Sequence, residues 1–177
     1  MDFSTKPIAM TDLETSGDVF AVHEILEIGL VVFDQKTFQI LDTLDVKVKP
    51  EHIENAIPAA IERNGYKEEN WGEACSLTEA LEKYAEKTKD CIFCGYNVSF
   101  DRGFMDEAFR KTKIKNLMDY HTLDVFTLAW QKGLKNSPSF SLKTACQMFN
   151  IPPEPWPHSA LNGAMAAYEL FKIVGGK

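Results

Sequence analysis

Runs of branched and aromatic residues occupy the first part of the chain, and stretches with helical spacing dominate the rest. Pro7 to Glu14 reads as a strand that ends in a turn at Ser16-Gly17. Ile25–Phe33 and Thr37–Val48 read as two more strands, and Asp34-Gln35-Lys36 between them predicts a hairpin. Helices are predicted over Ile57–Asn64 and Ser76–Thr88. In the second, Ser76 as N-cap with Glu79 three residues later makes a capping-box pattern. Cys91–Tyr96 reads as a short buried strand, followed by a helix over Asp101–Lys111 with Phe104, Met105, Ala108 and Phe109 on one face. Leu117–Tyr120 is read as a last short strand, ahead of helices over Leu123–Gln131, Ser141–Phe149 and Ser159–Val174. Three meandering strands followed by strand–helix alternation predict an α/β domain, a mixed five-stranded sheet with helices on its faces. Ligands are then expected near the strand ends and helix starts that face one another.

Composition narrows the class without changing this picture. The chain has 177 residues, 45% hydrophobic and 25% charged, with no internal repeat or Gly/Ser linker, as expected of one soluble domain over residues 1–177. Its first residues are polar and no apolar run reaches about twenty residues, so no membrane partner and a cytoplasmic location are expected. The four cysteines lack disulfide-framework or paired-zinc spacing, and the C-x-x-C of Cys91 and Cys94 has no second pair, so free thiols are expected. A net charge of −7 argues against a protein that coats nucleic acid through many phosphate contacts. It leaves room for an enzyme that grips a few terminal nucleotides. The basic stretch Arg110 to Lys115 reads as a solvated helix end, with a local phosphate patch as the alternative.

Three short segments carry candidate chemistry. In Thr11-Asp12-Leu13-Glu14-Thr15 the two carboxylates stand two residues apart on a strand, so they project from one face and repel unless a cation lies between them. A hard divalent ion with oxygen ligands meets that need. In Gly95-Tyr96-Asn97-Val98-Ser99-Phe100-Asp101 a buried strand runs into a helix, placing Asp101 at or near an N-cap. In Pro157-His158-Ser159-Ala160-Leu161 an imidazole follows a Pro-rich loop and precedes the last helix, where it could serve as a general base. Each segment alone also has a structural explanation: a solvated strand end, a capping aspartate, a surface histidine.

Taken in order, Asp12-x-Glu14-Thr15, Asn97-x-x-Phe100-Asp101 and His158-x-Ala160-Leu161 resemble the three exonuclease motifs of the DEDDh family of the DEDD superfamily, as found in proofreading exonuclease subunits of DNA polymerase III and in RNase T. The resemblance spans nearly the whole chain and takes in Glu27-Ile28-Gly29, Leu123-Asp124 and Phe140-Ser141-Leu142. It implies an RNase H-like fold and a metal-dependent 3′–5′ exonuclease that uses Mg²⁺ or Mn²⁺ in a two-metal site. By resemblance Asp12, Glu14 and Asp101 are metal ligands, Asp12 bridging both ions, and His158 is the base that deprotonates the attacking water. Thr15 and Phe100 match positions that contact the terminal nucleotide. The implied partners are single-stranded DNA or RNA 3′ ends. A homodimer or a place in a larger assembly would fit the family, although nothing in the sequence marks an interface.

One position departs from the pattern. The family carries a last aspartate five residues after the motif histidine, and here that position is Gly163. Asn162 is turned by about 100° around the helix and Glu169 lies nearly two turns further on, so neither is an obvious substitute. Ala160, Gly163, Ala164 and Ala167 form a small-residue surface that would let the helix approach the sheet closely. Losing one of three anionic ligands is expected to weaken the first metal. Two main functions stay open: an exonuclease slowed at that site, and a nucleotide or nucleic-acid binding module that has lost turnover. A protein-interaction role is the remainder.

Overall fold

The computed structural model describes residues 3–176. Five strands, β1 (Ile8–Thr15), β2 (Ile25–Phe33), β3 (Ile40–Lys47), β4 (Ile92–Gly95) and β5 (Thr122–Asp124), form one sheet in the order β3-β2-β1-β4-β5. The β1–β2 and β2–β3 pairs are antiparallel, whereas β1–β4 and β4–β5 are parallel. Six helices accompany it: α1 (Pro58–Asn64), α2 (Leu77–Lys87), α3 (Val98–Thr112), α4 (Val125–Gln131), α5 (Leu142–Met148) and α6 (Ala160–Val174). The mixed five-stranded α/β sheet expected from the sequence is therefore present.

Side-chain alternation on the central strands builds two cores. Ala9 and Leu13 of β1 join Ile28, Leu30 and Val32 of β2 against α2 and α3. Ile8 and Met10 join Val31 and Phe33 against α4, α5 and α6. Every residue of β2 is buried, whereas β3 is an edge strand, mostly exposed. The Ser76–Glu79 capping box forms as predicted: Ser76 Oγ accepts from the Glu79 N–H and Glu79 Oε2 accepts from the Ser76 N–H. Asp124 closes two helices at once, its Oδ1 accepting from the Val98 N–H at 3.1 Å and its Oδ2 from the Thr127 N–H at 3.1 Å.

The structure corrects three local expectations. β3 starts at Ile40 rather than Thr37, because Asp34 Oδ1 accepts from the N–H groups of Lys36 and Thr37 and folds residues 34–39 into a longer turn. The last strand is Thr122–Asp124 and not Leu117–Tyr120. In the earlier segment the Asp119 carboxylate binds the Lys6 ammonium and the His121 N–H, and Tyr120 points into solvent. Helix α3 begins at Val98 rather than Asp101, with Asn97 as its left-handed N-cap residue (φ 62°), so Asp101 sits inside the first turn, near the N-cap. The basic stretch at the end of α3 is partly engaged, with Arg110 and Lys111 both paired to Glu107. Cys91 and Cys94 are three apart on an extended segment and point into opposite cores, which rules out a bond between them and leaves both thiols free.

Helix α6 lies across β1 and β2 on the face opposite α2 and α3. Its small-residue surface works as anticipated, since Ala160, Gly163, Ala164 and Ala167 are all buried. On the sheet side the fit depends on Gly29, where an added Cβ would stand 2.0 Å from the Ala160 carbonyl carbon. Backbone meets backbone there, so no side-chain rotation can relieve an added methyl. Gly29→Ala is expected to destabilise the fold by at least ~2–3 kcal/mol through overpacking, read as a lowered urea midpoint at unchanged slope. A variant within 0.5 kcal/mol of the parent, the ordinary scatter of surface changes, would mean that α6 does not seat on Gly29.

Candidate active site

Strand β1 carries Asp12 and Glu14 at its C-terminal end on the side that faces α6, as the two-residue alternation requires. Glu27 of β2 stands directly opposite Glu14 in the antiparallel register. Asp101 reaches the same place from the first turn of α3, just after β4, the parallel neighbour of β1. His158 precedes α6 and is held by its backbone N–H, which donates to the Arg63 carbonyl at 3.0 Å. That bond fastens the loop before α6 to the end of α1.

The result is a concentration of negative charge with little to balance it. Removal from water is the largest effect on Asp12, Glu14, Glu27 and Asp101, and it raises all four carboxyls above their ordinary range. Glu14 is pushed up to about 7, with Glu154 raising it further and Arg63 opposing. Glu27 is pushed up to about 8, aided by a shared hydrogen bond with Asp45. Asp12 is raised well above its ordinary value by desolvation, then by Asp101 and Glu14. Glu14 is only 7% exposed, and no hydrogen bond reaches its carboxylate among the described residues. A buried, unpartnered carboxylate among other carboxylates costs free energy that a cation would recover. The donor set is chiefly oxygen, the preference of a hard divalent ion, so these residues fit one.

Gly163 faces this cluster. An added Cβ would lie 2.2 Å from Asp12 Oδ2, so the position faces Asp12, whose carboxylate fills the space in front of it. Sequence reasoning missed Glu154. It lies in the loop before α6, with Oε1 accepting from the Ser159 N–H at 3.0 Å and Oε2 3.4 Å from His158 Nδ1. Glu14, Glu154 and His158 each offer an atom within 4.8 Å of the others. The available signal was an acidic residue four positions before the histidine in an otherwise proline-rich, apolar loop. Glu27 was also visible, but only its pairing with Glu14 across two strands gives it a place here.

Beside the carboxylates runs a cleft of about 190 Å³, lined among others by Glu14, Thr15, Ile57, Ala60, Arg63 and Phe100. Thr15 and Phe100 therefore line one cleft. The Thr15 hydroxyl is already used, donating to the Gly17 carbonyl at 2.6 Å, and its backbone carbonyl accepts from Asn64 Nδ2. A larger cavity of about 700 Å³, between the start of β2 and helices α2 and α3, touches none of these acids.

With this geometry in place, comparison with known proteins decides the family. The profile of the RNase T exonuclease family matches residues 10–171. The chain belongs to this exonuclease family. Among curated relatives, the 3'-5' exonuclease DinG of Staphylococcus epidermidis is 31% identical over 149 residues, covering 81% of this chain and 15% of that protein. DinG of Staphylococcus aureus is 33% identical over 127 residues, covering 69% and 13%. The chain thus spans only about a seventh of the length of these relatives. Among solved structures, E. coli exonuclease I in complex with a dT13 oligonucleotide superposes with a TM-score of 0.80 at 16% identity, over 98% of this chain and 41% of that one. The nuclease domain of 3'hExo, a DEDDh family member, bound to rAMP, superposes with a TM-score of 0.73 at 17% identity, over 99% and 96%. The fold shared with these exonucleases is the RNase H-like one expected.

Two outcomes follow for this exonuclease-family site. Glu14 and Glu27 hold protons in the folded chain that the unfolded chain has released, so without metal stability should fall as pH rises from about 4.5 to about 8. Thermal melts in chelator should show that decline, with a shallower slope for Glu27→Gln; a flat profile across the window would contradict the burial of these acids. Gly163→Asp should force the Asp12 carboxylate aside and lower stability in chelator by ~1–3 kcal/mol. Excess Mn²⁺ should narrow that gap. Identical melting of parent and variant under both conditions would show that position 163 does not face Asp12.

Proposed function

We propose that the chain is a metal-dependent 3′–5′ exonuclease that releases nucleoside 5′-monophosphates from single-stranded nucleic-acid 3′ ends. The observation that carries this reading is the meeting of Asp12, Glu14 and Asp101 with His158 beside the cleft that contains Phe100. Asp12, Glu14 and Asp101 would hold the divalent ions, Mg²⁺ or Mn²⁺. When bound, such ions polarise the scissile phosphate and stabilise the leaving 3′ oxygen.

The chain's own residues do the rest. Phe100, Ile57 and Ala60 give the cleft an apolar wall on which a terminal base can stack, and Arg63 offers a charge to a phosphate. His158 points Nδ1 towards Glu154, which leaves Nε2 to take the proton of the attacking water. The water oxygen bonds to phosphorus as the bond to the 3′ oxygen breaks, and the departing alkoxide is protonated from solvent. Gly163 favours a reduced rate over full activity, because no carboxylate comes from α6 to the first ion. If turnover were lost entirely, the same cleft would remain a nucleotide-binding module.

Digestion of a single-stranded oligonucleotide in Mn²⁺ tests the reading. Mononucleotide release from the 3′ end is expected, abolished in Asp12→Ala and lowered about 10²–10⁴-fold in His158→Ala. The absence of digestion together with retained affinity for a nucleoside monophosphate would favour the binding module. A loss of Mn²⁺ affinity of about tenfold in His158→Ala would make this residue a ligand and not a base.

A further inference from the structure

Helix α6 leaves a gap in the ligand set that its own residues do not close. Gly163 presents only backbone to Asp12. Asn162 is exposed, and Glu169 pairs with Lys172 at 2.8 Å. A carboxylate does enter the site from a different element. Glu154, on the loop between α5 and α6, has a side chain only 12% exposed and lies against His158, with Glu14 in the same group.

We infer that Glu154 replaces the carboxylate missing at Gly163 and, with Glu14, holds the first divalent ion. This rests on the metal-dependent reading of the site. Three features support it. The ligand atoms of Glu14, Glu154 and His158 lie within 4.8 Å of one another. Opposite oxygens on one Mg²⁺ are about 4.2 Å apart, so small side-chain rotations bring the two carboxylates onto a common ion. Glu14, more than nine-tenths buried and without a hydrogen-bond donor among the described residues, is aimed into the same space. Finally, the Ser159 N–H fixes one Glu154 oxygen and leaves the other, Oε2, on the side of His158. With Oε1 pinned, Oε2 is the oxygen that can turn from its 3.4 Å contact with His158 Nδ1 onto an ion, and the pin is the N–H of Ser159, the N-cap of α6. The loop that carries Glu154 and helix α6 are thereby tied together.

Calorimetric titration of the chelator-treated chain with Mn²⁺ tests the inference without relying on turnover. Glu154→Gln keeps the side-chain volume and an oxygen for the Ser159 N–H while removing the charge. It is expected to weaken the tighter Mn²⁺ site by about tenfold or more, and to melt no lower than the parent in chelator. Glu154→Asp, which keeps the charge on a shorter stem, should fall between the two and serves if the Gln variant does not fold. Mn²⁺ affinity within about twofold of the parent in the folded variants overturns the inference while leaving the metal-dependent reading intact. A shifted pH–rate profile with unchanged Mn²⁺ affinity also overturns it, making Glu154 a positioning residue for His158. A parent chain that binds no Mn²⁺ overturns both.

Discussion

Carboxylates crowded together away from bulk solvent are the constraint around which this molecule is arranged. Asp12, Glu14, Glu27 and Asp101 meet at one end of the sheet, each raised by burial, and Arg63 is the cation that acts on Glu14. The folded chain sustains that repulsion because the rest of the structure holds it in place. The two cores on either face of β1 and β2 fix the strand that carries Asp12 and Glu14. Tight hydrogen bonding at the strand end leaves little freedom to relax, since Asn64 binds the Thr15 carbonyl and Ser16 accepts from the Glu24 N–H. Stored repulsion of this kind is what a binding site for cations requires before the cation arrives.

Helix α6 shows how the same packing serves two ends. Gly29 on the sheet and the small residues on the helix bring two backbones into contact, which places the start of α6 over the carboxylates. His158 and Glu154 come with it, because both are tied to that start or to α1 through the Ser159 and His158 N–H groups. At Gly163 the close approach leaves a space now filled by the Asp12 carboxylate. The absence of an aspartate there therefore changes the charge of the site without loosening the helix.

The shared fold survives at 16–17% identity to exonuclease I and 3'hExo, which is expected when a sheet order and two layers of helices are encoded mainly by pattern. Identity to the staphylococcal DinG proteins is higher, at 31–33%, over a small fraction of their length. Similarity at that level is enough to place the family. The candidate site is a handful of side chains gathered from the end of β1, the start of α3 and the loop before α6.

Much of this was legible in the amino-acid sequence. Local rules decided most helix positions, the Ser76 capping box and the first two strands, since each depends on neighbours a few residues away. The order of three motifs pointed to the family, and strand alternation put Asp12 and Glu14 on one face. Tertiary structure decided what depends on distant partners. Residues 117–120 form a loop whose Asp119 pairs with distant Lys6, and helix α3 starts at Val98, after Asn97, with Asp101 in its first turn. Glu154 gained its meaning only when the loop folded back beside a strand 140 residues earlier. A charge's neighbours across the fold are invisible to periodicity, because burial and Coulomb repulsion act through space and not along the chain.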